Sequence, residues 1–202
     1  TSKTHKCLVL VTSCMPNDDS LKRLLKLKNF FQSRERNELK SLATDCWVDA
    51  FVYEDELMLD TGLLAYCFSK LLDKRHIVES SEWKRFSRHA VDELSSSISF
   101  LEKNDVENAR ELLHSLLQET ESLSRVLGRF VRSVVEKARL KAAAEMYAHG
   151  ASLGVASVFV NAPKREVADY IGGTKMQDKY AVMPVNERLR KLVPLFGGGV
   201  GK

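Results

Sequence analysis

From Asp60 to His149 apolar residues return every third or fourth position almost without a break, which confines most of this chain to helices. Asp60 or Thr61 is expected to cap a helix bearing Leu63, Leu64, Tyr66, Phe68, Leu71 and Leu72. Residues 82–101 predict a second helix, with Trp83, Phe86, Ala90, Leu94, Ile98 and Leu101 on one face. Asn104-Asp105 separates it from residues 106–117, whose stripe is Ala109, Leu112, Leu113, Leu116 and Leu117. A long helix follows over about 121–149, ended by Gly150 as a left-handed C-cap. Consecutive amphipathic helices with short connections imply an antiparallel bundle.

The chain before Asp60 is less uniform. Residues 7–12 (CLVLVT) are a β-rich apolar run that predicts a strand buried on both faces. Residues 13–19 (SCMPNDD) read as a loop from their Pro, Asn and Asp content. Ser20 is expected to cap a helix carrying Leu21, Leu24, Leu25, Leu27, Phe30 and Phe31. The charged stretch 34–40 fits helix or loop, and Trp47, Val48, Phe51 and Val52 fit either a short strand or a helical turn.

At 202 residues, 44% hydrophobic and 29% charged, the composition is ordinary for a globular protein with a substantial core. No apolar run approaches the roughly 18 residues that span a bilayer. The apolar stretch at 7–11 is too brief for a signal peptide. A cytoplasmic protein without membrane contact is expected. Cys7, Cys14, Cys46 and Cys67 are widely spaced and form no Cys-x-x-Cys pair with a matching histidine cluster. That argues against zinc and for buried thiols in a reducing compartment. No catalytic residue, metal or cofactor is expected. Charge is unevenly divided. Residues 125–202 hold 14 Lys and Arg against 6 Asp and Glu, net +8, whereas residues 1–124 hold 17 against 21, net −4. Such an excess suits phosphate backbones, and it equally suits a solvated basic helix surface.

The basic region contains the most specific pattern in the chain. Residues 151–160 (ASLGVASVFV) are followed by 161–171 (NAPKREVADYI) and then Gly172-Gly173. Two short helices meeting across a tight turn need a small residue at their closest approach, and Ser157 fills that place. The turn needs a residue tolerant of positive φ four positions later, where Asn161 stands. Leu153, Ala156, Val160, Ala162, Val167, Tyr170 and Ile171 keep the inward spacing. Pro163 suits the first position of the second helix, and Gly172-Gly173 suits its end. These features predict a helix-turn-helix.

The run Tyr147-x2-Gly150-x-Ser-Leu-Gly-x-Ala-Ser157, continuing through Asn-Ala-Pro-Lys-Arg-Glu-Val-x-Asp-Tyr-Ile to Gly172, resembles the helix-turn-helix of small prokaryotic antitoxin-like proteins and related archaeal regulators. The resemblance covers about residues 131–192. Two departures are Asn161 where glycine is usual and Ala162 in place of a Ser/Thr cap. It implies a sequence-specific DNA-binding protein, a transcriptional regulator or antitoxin-like repressor, acting on duplex DNA as a homodimer. In that role Lys164, Arg165 and Ala168 point away from the buried face. Arg165 would read a guanine, and Lys164 a base or a phosphate. Ser152, Thr174, Lys175 and Lys179 suit backbone contacts.

The expected fold class is therefore mostly α: a small α/β N-terminal segment, a central helical bundle and a C-terminal helix-turn-helix. Residues 1–120 would form one domain for dimerisation, sensing or a protein partner, and 121–202 the nucleic-acid-binding region. Other constellations are weaker. Residues 58–64 (MLDTGLL) resemble the opening of metal-dependent ribonucleases of the PIN class, with Asp60 as magnesium ligand, so a helical nuclease is the rival reading. A non-catalytic interaction scaffold is the third. Arg85-x3-His89 and Arg110-x3-His114 read as helix-surface neighbours, and the glycine-rich end at 197–202 lacks the residues of a phosphate loop.

Overall fold

A computed structural model describes residues 16–127 and 133–174. The chain divides into two compact units, Thr1–Ala138 and Arg139–Lys202. In the first unit lie helices α1 (Pro16–Gln32), α2 (Arg36–Tyr53), α3 (Glu56–Leu72), the single turn α4 (Arg75–Val78), α5 (Ser81–Glu102) and α6 (Val106–Leu127). Helix α7 (Val134–Ala148) begins in the first unit and continues into the second, which holds α8 (Leu153–Phe159) and α9 (Lys164–Gly173). The protein is mostly α, as its periodicity predicts.

The small α/β start finds no support, because the described residues contain no strand. The expected strand at 7–12 lies outside them. Trp47, Val48, Phe51 and Val52 are helical, within α2. The loop expected at 13–19 is already helix from Pro16, whose fixed φ suits a first helical position, with Asp18 and Asp19 favourably placed in the first turn. Ser20 is therefore no cap. It is buried inside α1, and its hydroxyl donates to Asp55 Oδ2 at 2.9 Å.

Asp55 also corrects the expected start of α3. It is the N-cap, its Oδ1 accepting from the Met58 amide at 3.0 Å. Asp60 and Thr61 lie a turn inside the helix, where the Thr61 hydroxyl donates to the Leu57 carbonyl at 2.8 Å. The reason is burial: α3 buries Leu57, Met58 and Leu59 as well as the residues after them, so the helix must begin before this run. In the first unit α3 packs against α1, α2 and α6, and α5 packs against α1 and α6. Phe31 and Phe68 stack at 4.2 Å between centroids, while Trp83 and Phe86 close the cluster from α5. All six apolar residues expected on the α5 face are buried.

Gly62 shows how closely α2 and α3 approach. A Cβ there would meet the Trp47 ring at 2.7 Å and Cys46 Cβ at 3.0 Å. Mid-helix glycine costs about 1 kcal/mol against alanine, and here it is retained because the fully buried Trp47 ring occupies the space. Cys46 and Cys67 are buried thiols, as expected from the sequence. Burial pushes the Cys46 thiol up to about 12, with Arg23 acting in the opposite direction.

Among the described residues, five helix ends close in the same way. Each has one residue at positive φ, and the next amide bonds back to a carbonyl five residues earlier, the Schellman pattern. The left-handed residues are Arg34, Glu54, Asn104, Gly150 and Asn161. The bonds are Glu35 N–H to Phe30, Asp55 to Ala50, Asp105 to Phe100, Ala151 to Met146 and Ala162 to Ser157, all 2.9–3.0 Å. Gly150 takes the left-handed C-cap role expected of it. The long helix expected over 121–149 is divided: α6 continues to Leu127 and α7 starts at Val134. No described helix is long and apolar enough to cross a membrane.

Candidate nucleic-acid interface

Within the second unit, α8 and α9 pack together across a four-residue connection. Ser152 is the N-cap of α8, its Oγ accepting from the Val155 amide at 3.2 Å while the residue stays exposed. Ser157 is buried on the inner face, and its hydroxyl donates to the Leu153 carbonyl at 2.6 Å. Val160 is also buried, and Asn161 turns the chain at φ 52°.

Arg139, on the α7 part of this unit, holds the turn. Its Nη1 donates to the carbonyls of Val160 at 3.3 Å and Asn161 at 3.2 Å. A cation at the carbonyl end of a helix satisfies groups that have no partner inside it. Sequence reasoning missed this residue. No spacing rule joins position 139 to position 160, so only the folded chain brings them together.

Pro163 is not the first helical residue but the N-cap of α9, in extended conformation with φ −61° and ψ 126°. No side chain caps this helix. The cap position therefore falls one residue after Ala162, where the sequence placed the missing Ser/Thr. Val167 and Ile171 are buried, and Tyr170 is half-buried. Burial, with the Glu145 carboxylate adding to it, holds the Tyr170 phenol above its ordinary value. Lys164, Arg165 and Ala168 are exposed, and Asp169 is exposed beside them. The helix runs through Gly172 and Gly173 before Thr174, whose hydroxyl donates to the Tyr170 carbonyl at 2.9 Å. Lys175 and Lys179 lie outside the described residues. On α8, Val155 and Val158 are 53% and 82% exposed, an apolar edge without a covering partner among the described residues.

The other residues considered for chemistry are dispersed. Residues 58–64 are helix rather than the strand a PIN-class opening requires. Asp60 faces His114 Nδ1 at 4.0 Å, and Arg110 pairs with Glu56. His89 lies 3.1 Å from Glu119 and 3.9 Å from Glu93. Among the described residues no group of three or more His, Cys, Asp or Glu is placed to hold a metal ion. The glycine-rich stretch at 197–202 lies outside the described residues.

No protein-family model matches the chain, and no curated protein or solved structure matches it.

Proposed function

We propose that this chain is a sequence-specific DNA-binding regulator whose α8–α9 pair works as a helix-turn-helix. The observation that carries the reading is the two-sidedness of α9. Val167 and Ile171 anchor one side, while Arg165 stands exposed on the other and Lys164 is exposed at the N-terminal end. In a helix-turn-helix the N-terminal residues of the second helix meet base edges in the major groove. Arg165 suits a bidentate contact with guanine, and Lys164 a base or a phosphate. An N-terminus without a side-chain cap favours a phosphate oxygen for the same electrostatic reason.

The net charge of +8 over residues 125–202 supports the reading, since neutralising phosphates releases counterions and makes affinity fall with salt. Ser152 and Thr174 lie at the two ends of the pair and suit backbone contacts. A homodimer would place two pairs on half-sites, the usual route to affinity for such modules.

The test is enrichment of a random duplex library on the full chain, followed by titration of the enriched and a scrambled duplex. The parent protein is expected to select a motif and to bind it with a negative slope of log affinity against log salt. Arg165→Ala is expected to lose about 1–3 kcal/mol on the enriched duplex only, while its melting temperature stays within error. Salt-independent binding, or equal binding of both duplexes by parent and variant, would sink the proposal.

A further inference from the structure

Basic side chains in the first unit are gathered despite the net −4 of residues 1–124. Two adjoining concavities, of about 510 and 230 Å³, share Arg34 and Leu72 in their walls. Arg34 and Arg88 line the larger one, and Arg34, Arg36 and Arg75 the smaller. One carboxylate faces each group, Asp92 in the larger and Glu79 in the smaller.

These charges do not neutralise one another. Arg36 is held by Asp73 at 2.6 Å. Arg88 uses only its Nε, donating to the Lys84 carbonyl at 3.3 Å. The guanidinium groups of Arg34 and Arg75 make no hydrogen bond or ion pair with any described residue. Arg88 and Asp92 stand four residues apart, as do Arg75 and Glu79, a spacing at which helical pairs readily close. Neither pair closes. Arg34 adds a second observation, because it occupies the left-handed position of its turn at φ 58°, where glycine fits without strain. Asparagine fills two of the other such positions in this chain. Arginine stands there instead, with its side chain in the walls of both hollows, and glycine can replace it without strain in the turn.

We infer that this cleft binds a small phosphate ester carrying two or more phosphate groups. Guanidinium forks match phosphate oxygens two bonds at a time, so Arg34, Arg75 and Arg88 form a clamp for adjacent phosphates. Asp92 accepts from a hydroxyl of the same ligand, and the larger concavity has the size of a small-molecule site. A long polyanion crossing both hollows would instead meet the two carboxylates. The inference concerns the first unit and is independent of the α8–α9 reading.

The experiment is calorimetric titration of the full chain with pyrophosphate at fixed ionic strength, for the parent, Arg34→Gly and Arg165→Ala. The parent is expected to bind. Arg34→Gly should bind about tenfold more weakly or worse, the effect of losing a charge-assisted contact, with no fall in melting temperature because glycine suits the turn. Arg165→Ala should bind pyrophosphate like the parent, which separates this site from the helix pair. Absence of binding by the parent, or parent-like binding by Arg34→Gly, would overturn the inference. So would a loss in Arg165→Ala equal to that in Arg34→Gly. A single-stranded oligonucleotide that binds through Arg34 where pyrophosphate does not would also overturn it, assigning the arginines to a polymer.

Discussion

The α2–α3 and α8–α9 pairs turn their chains with the same left-handed device, Glu54 in one and Asn161 in the other, and then diverge. After Glu54 the next helix is capped by Asp55, which also accepts from Ser20 of α1. After Asn161 the next helix starts at Lys164, behind Pro163 as an N-cap without a side-chain hydrogen bond, and with Lys164 and Arg165 exposed. The α3 helix is buried almost all round, with Trp47 pressed against Gly62, whereas α9 buries Val167 and Ile171. One turn geometry thus serves both an interior joint with its polar groups engaged and a surface pair with an open, basic end. The Schellman turn sets the path of the backbone. The residues on either side decide whether the pair is core or surface.

The sharpest way to break this comparison is at Gly62. Gly62→Val forces three carbons into the space of the buried Trp47 ring, and overpacking of this kind costs about 1–3 kcal/mol or more. Helix propensity recovers well under 1 kcal/mol of that. Urea denaturation followed by Trp47 and Trp83 fluorescence should show a clear loss, and an unchanged midpoint would mean that the α2–α3 joint is looser than its geometry indicates. The counterpart in the other pair is Val167→Ala. Val167 is fully buried, so truncation should cost about 1–3 kcal/mol of local stability. Because the site belongs to the second unit, amide exchange should accelerate in α8 and α9 while α3 keeps its protection. Equal acceleration in both would show that the units open together.

The smallest effect expected is the pH dependence that Tyr170 brings to the second pair. Tyr170 is held above its ordinary value in the folded state, so the folded chain retains a proton there that the unfolded chain releases first. Its contribution is fully present below pH 10, the unfolded value, and is lost as pH rises through the higher folded value. Tyr170→Phe should flatten the fall in stability above pH 10 without altering stability at pH 7 by more than its lost contacts. Denaturant midpoints for parent and variant at pH 7, 9 and about 10.5 would check this, and identical slopes would refute it.

What could be read from the chain itself was whatever depends on local chemistry. The α5 stripe from Trp83 to Leu101 needs no partner to declare its period, and every member is buried. Gly150 and Asn161 tolerate positive φ for reasons internal to the residue, so two of the five turns were legible in advance. The exposure of Arg165 follows from the same periodicity that buries Val167 and Ile171, whereas Lys164 is exposed as the first residue of the helix.

Features that depend on a second element were not legible. Asp60 and Thr61 look like a cap as well as Asp55 does, and the choice falls to Asp55 because Ser20 and the buried face of α3 need it there. Arg34 and Glu54 have no local preference for the left-handed region, which costs an ordinary L-residue about 1–2 kcal/mol. Packing of α1 against α3, and of α2 against α3, holds the helices that these two turns terminate. Arg139 reaches its carbonyls across 21 and 22 residues, and Arg34 meets Arg88 in one hollow and Arg75 in another only after the helical segments have packed. Sequence alone determined that this protein is helical, where most of its apolar faces lie and which end is basic, since period and charge are properties of neighbours in the chain. Tertiary structure alone decided which carboxylate caps, which arginine clamps a turn and where unpaired guanidinium groups gather, because those outcomes rest on distances between residues the chain keeps far apart.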